Sequence, residues 1–185
     1  MNTITTTFKE VFILKPNVHL DERGSFMESF NKDFFDKSID RKIVFLQDNE
    51  TFSKKGVLRG LHYQLPPFSQ SKLVRVIQGT VLDIIVDIRQ GSPTLGHHFS
   101  CELSEENQLQ LFIPRGFAHG YITLSETSIF AYKVDQYYNF SSEGSINPND
   151  PSLGIDWQLP ESKWIQSEKD KKHPMLAEAT LFDFT

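Results

Sequence analysis

The feature that most limits what this chain can fold into is its punctuation: short runs rich in Phe, Val, Ile and Thr, each broken within a few residues by Gly, Pro, Asn or Asp. Such runs make strands, because branched and aromatic side chains suit a pleated surface and the breaks supply turns. Val81 to Ile88 is the clearest case: Leu82, Ile84, Val86 and Ile88 fall on one face, with Asp83 and Asp87 opposite, which predicts a half-buried strand. Leu73 to Gln78, Leu109 to Ile113 and Ser128 to Tyr138 read the same way, separated by turn signals at Gly79, at Gly91 to Pro93 and at Pro114 to Gly116. Many short antiparallel strands predict an all-β sandwich or barrel. Helix is confined to two short candidates, Lys32 to Lys37 and Glu161 to Glu168, the second following Pro160 and carrying Trp164 and Ile165. Asn139 to Pro151 reads as a long loop. At 185 residues, the chain suits a single domain spanning 1–185, large enough to bury a core without disulfides or a structural metal.

Charge and cysteine usage narrow the function classes. A net charge of −5 argues against a broad nucleic-acid-binding face, so an anionic ligand must be met by a few gathered Arg and Lys residues. The longest apolar run near the start, Val11 to Leu14, is too short for a signal-peptide core or a membrane helix. Cys101 is the only cysteine, which excludes an intrachain disulfide and a CxxC metal or redox motif. We therefore expect a cytoplasmic protein with neither nucleic acid nor membrane as partner.

Two polar clusters interrupt the apolar runs. The first, Val57 to Leu65 (VLRGLHYQL), holds Arg59 and His62, with Lys72 close behind. Strict alternation places Arg59 and His62 on opposite faces, so their joint use in one site requires a bulge, for which Gly60 is the candidate. A hydrogen-bonded core histidine at His62 and a solvated lysine at Lys72 are the plain alternatives. The second cluster, Ile113 to Gly120 (IPRGFAHG), places His119 just after a turn. Together they resemble the paired motifs of the cupin barrel: Gly56 and His62 fit the first, and Pro114, Gly116 and His119 the second. Gln64 stands where a second metal-ligating His would fall, and Gln70 and Lys72 occupy the stretch of the ligand Glu. The resemblance thus implies a cupin-type antiparallel β-barrel or jelly roll with a few short helices, without metal or other cofactor.

Five ordered segments are more specific. Asp21 to Glu28 (DERGSFME), Phe45 to Asn49 (FLQDN), Leu58 to Gln64 (LRGLHYQ), Pro114 to Gly120 (PRGFAHG) and Ser167 to Asp170 (SEKD) resemble the dTDP-4-dehydrorhamnose 3,5-epimerase family. The resemblance implies epimerisation at C3 and C5 of a dTDP-4-keto-6-deoxyhexose through enolates, a step of deoxysugar synthesis. That chemistry needs a base, an acid on the opposite ring face, and a group facing the enolate oxygen. By resemblance, His62 is the base, Asp170 orients its imidazole, Lys72 faces the enolate oxygen and Tyr132 returns a proton. Read alone, Asp170 passes for a surface charge and Tyr132 for a packed strand aromatic. Regular alternation places Phe130, Tyr132, Val134 and Tyr138 on one side, both tyrosines toward the lumen, with Tyr138 available to stack on thymine.

The resemblance also assigns nucleotide or phosphate contacts to Arg23, Arg59 and Lys169, and further ligand contacts to Glu28, Gln47, Asn49, His119 and Glu143, with Phe26 as a base-stacking partner. It implies a homodimer in which Arg23 to Glu28 crosses into the partner's site. Glu50-Thr51 and Ser145 to Pro148 depart from the family pattern beside expected contacts. A mono-epimerase acting at C3 or C5 on a related nucleotide sugar, or a cupin that only binds a nucleotide sugar, are the competing readings.

Overall fold

The structure, a computed structural model, describes residues 2–183. One antiparallel sheet has six strands in the order β1 (Asn2–Thr5), β2 (Phe12–Lys15), β11 (Gln110–Ile113), β7 (Lys72–Gln78), β13 (Thr127–Val134) and β5 (Gln47–Lys54). The other has five: β10 (His98–Ser104), β8 (Thr80–Asp87), β12 (Phe117–Thr123), β6 (Leu58–Gln64) and β14 (Glu143–Ser145). Between them lies a core to which the first sheet sends Val74, Val76 and Phe130 and the second Val81, Ile85 and Tyr121. This is the expected all-β, cupin-type jelly roll. Two small ribbons complete the strands: a hairpin of β3 (Val18–Asp21) and β4 (Gly24–Met27), and a parallel pair of β9 (Arg89–Gln90) and β15 (Phe182–Asp183).

Each sheet is also covered on its outer face. Helix α1 (Lys32–Ile39) lies against the six-stranded sheet, burying Phe35 and Ile39 with Leu14, Leu73 and Phe112. It forms where Asn31 caps it by accepting the Phe34 N–H at 3.0 Å, and it runs to Ile39, two residues beyond the predicted end, with Asp40 capping it in the left-handed region. The chain from Ile146 onward covers the five-stranded sheet, packing Ile146, Leu153 and Trp157 on Leu58, Leu61, Ile84 and Val86.

That cover corrects four expectations. β8 is buried on both faces rather than one: the remote segment roofs Leu82, Ile84 and Val86, while the alternate residues Val81, Asp83, Ile85 and Asp87 turn toward the other sheet, which leaves Asp83 and Asp87 0% exposed. Glu161 to Glu168 is not a helix: only Glu161–Lys163 makes a 3-10 turn, after which Ile165 runs extended and pairs with the entry to β6, its N–H bonded to Gly56 and its carbonyl to Leu58. The strand predicted to reach Tyr138 ends at Val134, so Tyr138 lies beyond it, 56% exposed and outside the lumen. The predicted loop Asn139 to Pro151 contains a 3-10 turn at Phe140–Ser142 and the edge strand β14, which pairs with β6 opposite Tyr63.

Candidate active site

A pocket of about 490 Å³ opens between the sheets. The sheet of five contributes His62 and Arg59 from β6 and His119 from β12; the sheet of six contributes Lys72 from β7 and Tyr132 from β13. Asp170 enters from a 3-10 turn, Asp170–Lys172, in the covering segment. Of the residues singled out from sequence, these six line the pocket.

Arg59 and His62 share the lumen because the ladder slips. His119 pairs with His62 and Tyr121 with Arg59, so β6 spends one residue more than β12 over the same stretch, and the extra residue reverses the parity of the side chains. Gly60 carries the irregularity at φ +141, and a Cβ there would meet the Gly120 Cα at 2.5 Å. The bulge expected at Gly60 is present.

His62 Nε2 and Asp170 Oδ1 are 3.1 Å apart. Burial works to raise the Asp170 carboxyl, but the hydrogen bond and charge of His62, with the charge of His173, outweigh it and hold the group below the ordinary carboxylate range. Its backbone N–H donates to Ser167 Oγ at 3.1 Å, which braces the turn. With Nε2 engaged, Nδ1 is the ring nitrogen left outside the pair.

The facing wall is electrostatically different. Burial pushes the Lys72 ammonium down to about 8, with Asp83 pulling it partly back. Burial, then the neighbouring Tyr121, raises the Tyr132 phenol, and Arg59 opposes them, so Tyr132 is held as a protonated donor at neutral pH. On the sheet of five, Asp83, fully buried, meets His119 Nε2 at 2.8 Å and leaves its Oδ1 without a hydrogen bond among the described residues. Burial drives both members of that pair toward their neutral forms, raising Asp83 and lowering His119, while their mutual attraction and, for Asp83, the charge of Lys72 work against it.

The remaining predicted contacts lie outside this pocket. Gln47 and Asn49 bond each other at 2.7 Å on β5, on the same strand face as Thr51, which does line the pocket and bonds the Tyr121 hydroxyl at 2.7 Å. Glu143 accepts from Tyr138 at 3.0 Å and from Lys169 at 2.5 Å, and its carboxylate feels the charge of His62, so this trio lies near the dyad. Arg23 pairs only locally with Asp21, and Arg23, Phe26 and Glu28 are all exposed on or beside the β3–β4 hairpin. Gln64, at the position of a cupin ligand, donates its amide to the Phe68 carbonyl and accepts the Asn139 N–H, clamping the loops that flank β6 and β14.

Sequence reasoning missed Asp83, Tyr121, Thr51 and His173. Asp83 was assigned to a wet face; the signal against that was the density of apolar residues around it, which fits a strand buried on both sides. His173 was recoverable from its spacing, since positions 170 and 173 share one side of a single 3-10 turn.

Residues 5–178 match the family described as dTDP-4-dehydrorhamnose 3,5-epimerase. The chain is 51% identical over 184 residues to the dTDP-4-dehydrorhamnose 3,5-epimerase of Salmonella typhimurium, covering 98% of each chain. The crystal structure of the dTDP-6-deoxy-D-glucose-3,5-epimerase of Legionella pneumophila in complex with dTDP-4-keto-L-rhamnose superposes with a TM-score of 0.95 at 44% identity, covering 100% of this chain and 98% of that one. A 3'-monoepimerase from Streptomyces bikiniensis, in complex with dTDP-quinovose, superposes with a TM-score of 0.87 at 29% identity over 94% of this chain and 87% of that one.

Proposed function

Because this chain belongs to the dTDP-4-dehydrorhamnose 3,5-epimerase family, we propose that it inverts C3 and C5 of dTDP-4-dehydro-6-deoxy-D-glucose to give dTDP-4-dehydro-L-rhamnose. The observation that carries this reading is the opposition of two walls around one pocket: a hydrogen-bonded His62–Asp170 pair on one, Tyr132 and Lys72 on the other.

Both reacting carbons lie next to the C4 ketone, so their protons are acidified and removal gives an enolate. His62 takes the proton at Nδ1, and the ionised Asp170 fixes the ring and stabilises the imidazolium. Charge then develops on the ketone oxygen, where the Lys72 ammonium, in a lumen shielded from water, stabilises it far more than it would in bulk solvent. Tyr132 protonates the carbon from the facing wall, which inverts the centre. Arg59 at the pocket mouth meets the diphosphate, with Lys169 and the partner's hairpin adding to it. Arg23, Phe26 and Glu28 reach the nucleotide of the neighbouring subunit in a homodimer, and Gln47, Asn49, His119, Tyr138 and Glu143 complete the contacts. Among the described residues no helix is long and apolar enough to cross a membrane, and a single cysteine suits a reducing compartment, so the working location is the cytoplasm.

The test is proton NMR of the purified protein with dTDP-4-keto-6-deoxy-D-glucose in D2O. Loss of both the C3 and C5 signals with appearance of the L-lyxo product supports the 3,5-epimerase; no exchange at either carbon overturns it. Exchange at one carbon alone supports the second reading, a mono-epimerase, which the likeness to the Streptomyces bikiniensis enzyme keeps in view.

A further inference from the structure

The proposed chemistry gives His173 no task, yet His173 sits against the residues that perform it. Its side chain is 3% exposed, its Nε2 is 3.5 Å from Asp170 Oδ1, and its ring stands edge-on to that of His62 with centroids 5.1 Å apart. Neither of its ring nitrogens has a hydrogen bond of good geometry among the described residues, and only the nearby backbone of Ile146 and Gly60 favours its cation by hydrogen bonding. A buried imidazole lone pair without a well-formed partner costs free energy, and an atom that accepts it together with the neighbouring lone pairs of His62 and Asp170 relieves that cost.

The position of those lone pairs narrows what that is. One ligand atom each from His62, Asp170 and His173 lie within 4.8 Å of one another. Ligands bound tetrahedrally at about 2.0–2.2 Å from one ion are separated by roughly 3.3–3.6 Å. The two measured separations, 3.1 and 3.5 Å, lie close to that spacing. Two imidazoles and one carboxylate suit a borderline-soft ion, not Mg²⁺ or Ca²⁺, which favour sites made of oxygen. His62 and Asp170 both line the pocket, which gives an ion a route to the cluster. This cluster shares His62 with the cupin motif but none of its other ligand positions, since Gln64 is occupied with loop backbone.

We propose that His62, Asp170 and His173 form a binding site for a single divalent transition ion of the Zn²⁺ class, and that occupancy inhibits the enzyme. The ion enters through the pocket and binds His62 at Nε2, and the imidazole proton held there moves to Nδ1, which then has no lone pair for a proton from carbon. Its charge lowers the basicity of the imidazole and its bonds fix the ring, so His62 no longer removes a proton from carbon. The inhibitory half rests on the role proposed above for His62; the binding half does not.

The experiment therefore reads binding first. Chelator-treated protein is titrated with CoCl2, followed by visible absorption, and with ZnCl2, followed by calorimetry, in both cases without substrate. One equivalent of Co²⁺ should bind with the intense d–d absorption of a four- or five-coordinate ion, and H173Q and H62Q should each weaken binding by at least about 100-fold, as loss of a ligand exceeds loss of an outer-shell partner. Binding no tighter than millimolar, or unchanged in H173Q, overturns the proposal. Should H173Q fail to fold, the proton spectrum of the unaltered Co²⁺ protein decides: two paramagnetically shifted imidazoles support the site, and fewer than two overturn it. Solvent exchange into substrate should then fall in step with Zn²⁺ occupancy and return with EDTA. Because the Co²⁺ spectrum needs no turnover, an inactive protein that still binds one ion would count against the epimerase reading alone.

Discussion

On the proposed mechanism His62 and Tyr132 perform separable halves of one inversion, and substitution should separate them. His62→Ala should abolish both deuterium exchange and epimerisation, whereas Tyr132→Phe should keep measurable exchange while losing inverted product; equal loss of both in Tyr132→Phe, seen by NMR in D2O, would remove the acid role. Lys72 makes a prediction in pH. Its cation stabilises the enolate, and burial places its pKa at about 8, so kcat should hold below that pH and decline above it. Asp83 is the charge that pulls this pKa back up; Asp83→Asn should therefore move the falling limb to lower pH in a kcat–pH profile, and an unmoved limb would uncouple the pair. Lys72→Ala should cost about 100- to 1,000-fold in kcat with a smaller change in KM, the usual loss for a donor to developing oxyanion charge. His62, Lys72 and His119 were visible in the sequence because polar residues stand out in apolar runs. Asp170 was not, since an acid on a surface-like stretch has nothing local to mark it; its meaning depends on a partner 108 positions earlier, and only the family resemblance supplied it.

Strands were legible for the same reason that their lengths were not. Periodicity reports which residues suit a sheet, but ends are set by neighbours: β13 stops at Val134, where its pairing with Gln47 on β5 and Lys72 on β7 runs out. The stretch from Glu161 carries helix-compatible residues, yet its backbone groups find better partners at Gly56 and Leu58, and tertiary pairing overrides a weak propensity. The bulge in β6 is the element that makes the site, and it depends on Gly60. Gly60→Ala adds a Cβ against the Gly120 Cα at a φ that side chains avoid. The backbone strain alone should destabilise the fold by about 1–3 kcal/mol. Urea unfolding should show that loss as a lower midpoint, and kcat should fall with it if relaxation of the bulge turns Arg59 or His62 out of the lumen. A stable, fully active Gly60→Ala protein would mean that the parity of β6 is set elsewhere.

Across the whole molecule, the β3–β4 hairpin is the least self-sufficient part. Leu20 is 80% and Phe26 71% exposed, and its two strands pair only with each other. An apolar ribbon of this kind is suited to cover by a second copy. Leu20→Asp should shift the protein from dimer to monomer in light scattering and raise KM by at least about tenfold, equivalent to losing one contact of 1.4 kcal/mol; an intact dimer with unaltered KM would place the interface on another face. The segment from Ile146 onward has a different kind of reach. It roofs the apolar face of the five-stranded sheet and it delivers Asp170 to His62. A chain clipped or abandoned before Asp170 therefore lacks the orienting carboxylate and also displays bare Leu58, Ile84 and Val86, the sort of surface that chaperones and proteases recognise. If Asp170 orients His62 as proposed, incomplete copies should be inactive and conspicuous at once, and the tail would serve as the molecule's own certificate of completion.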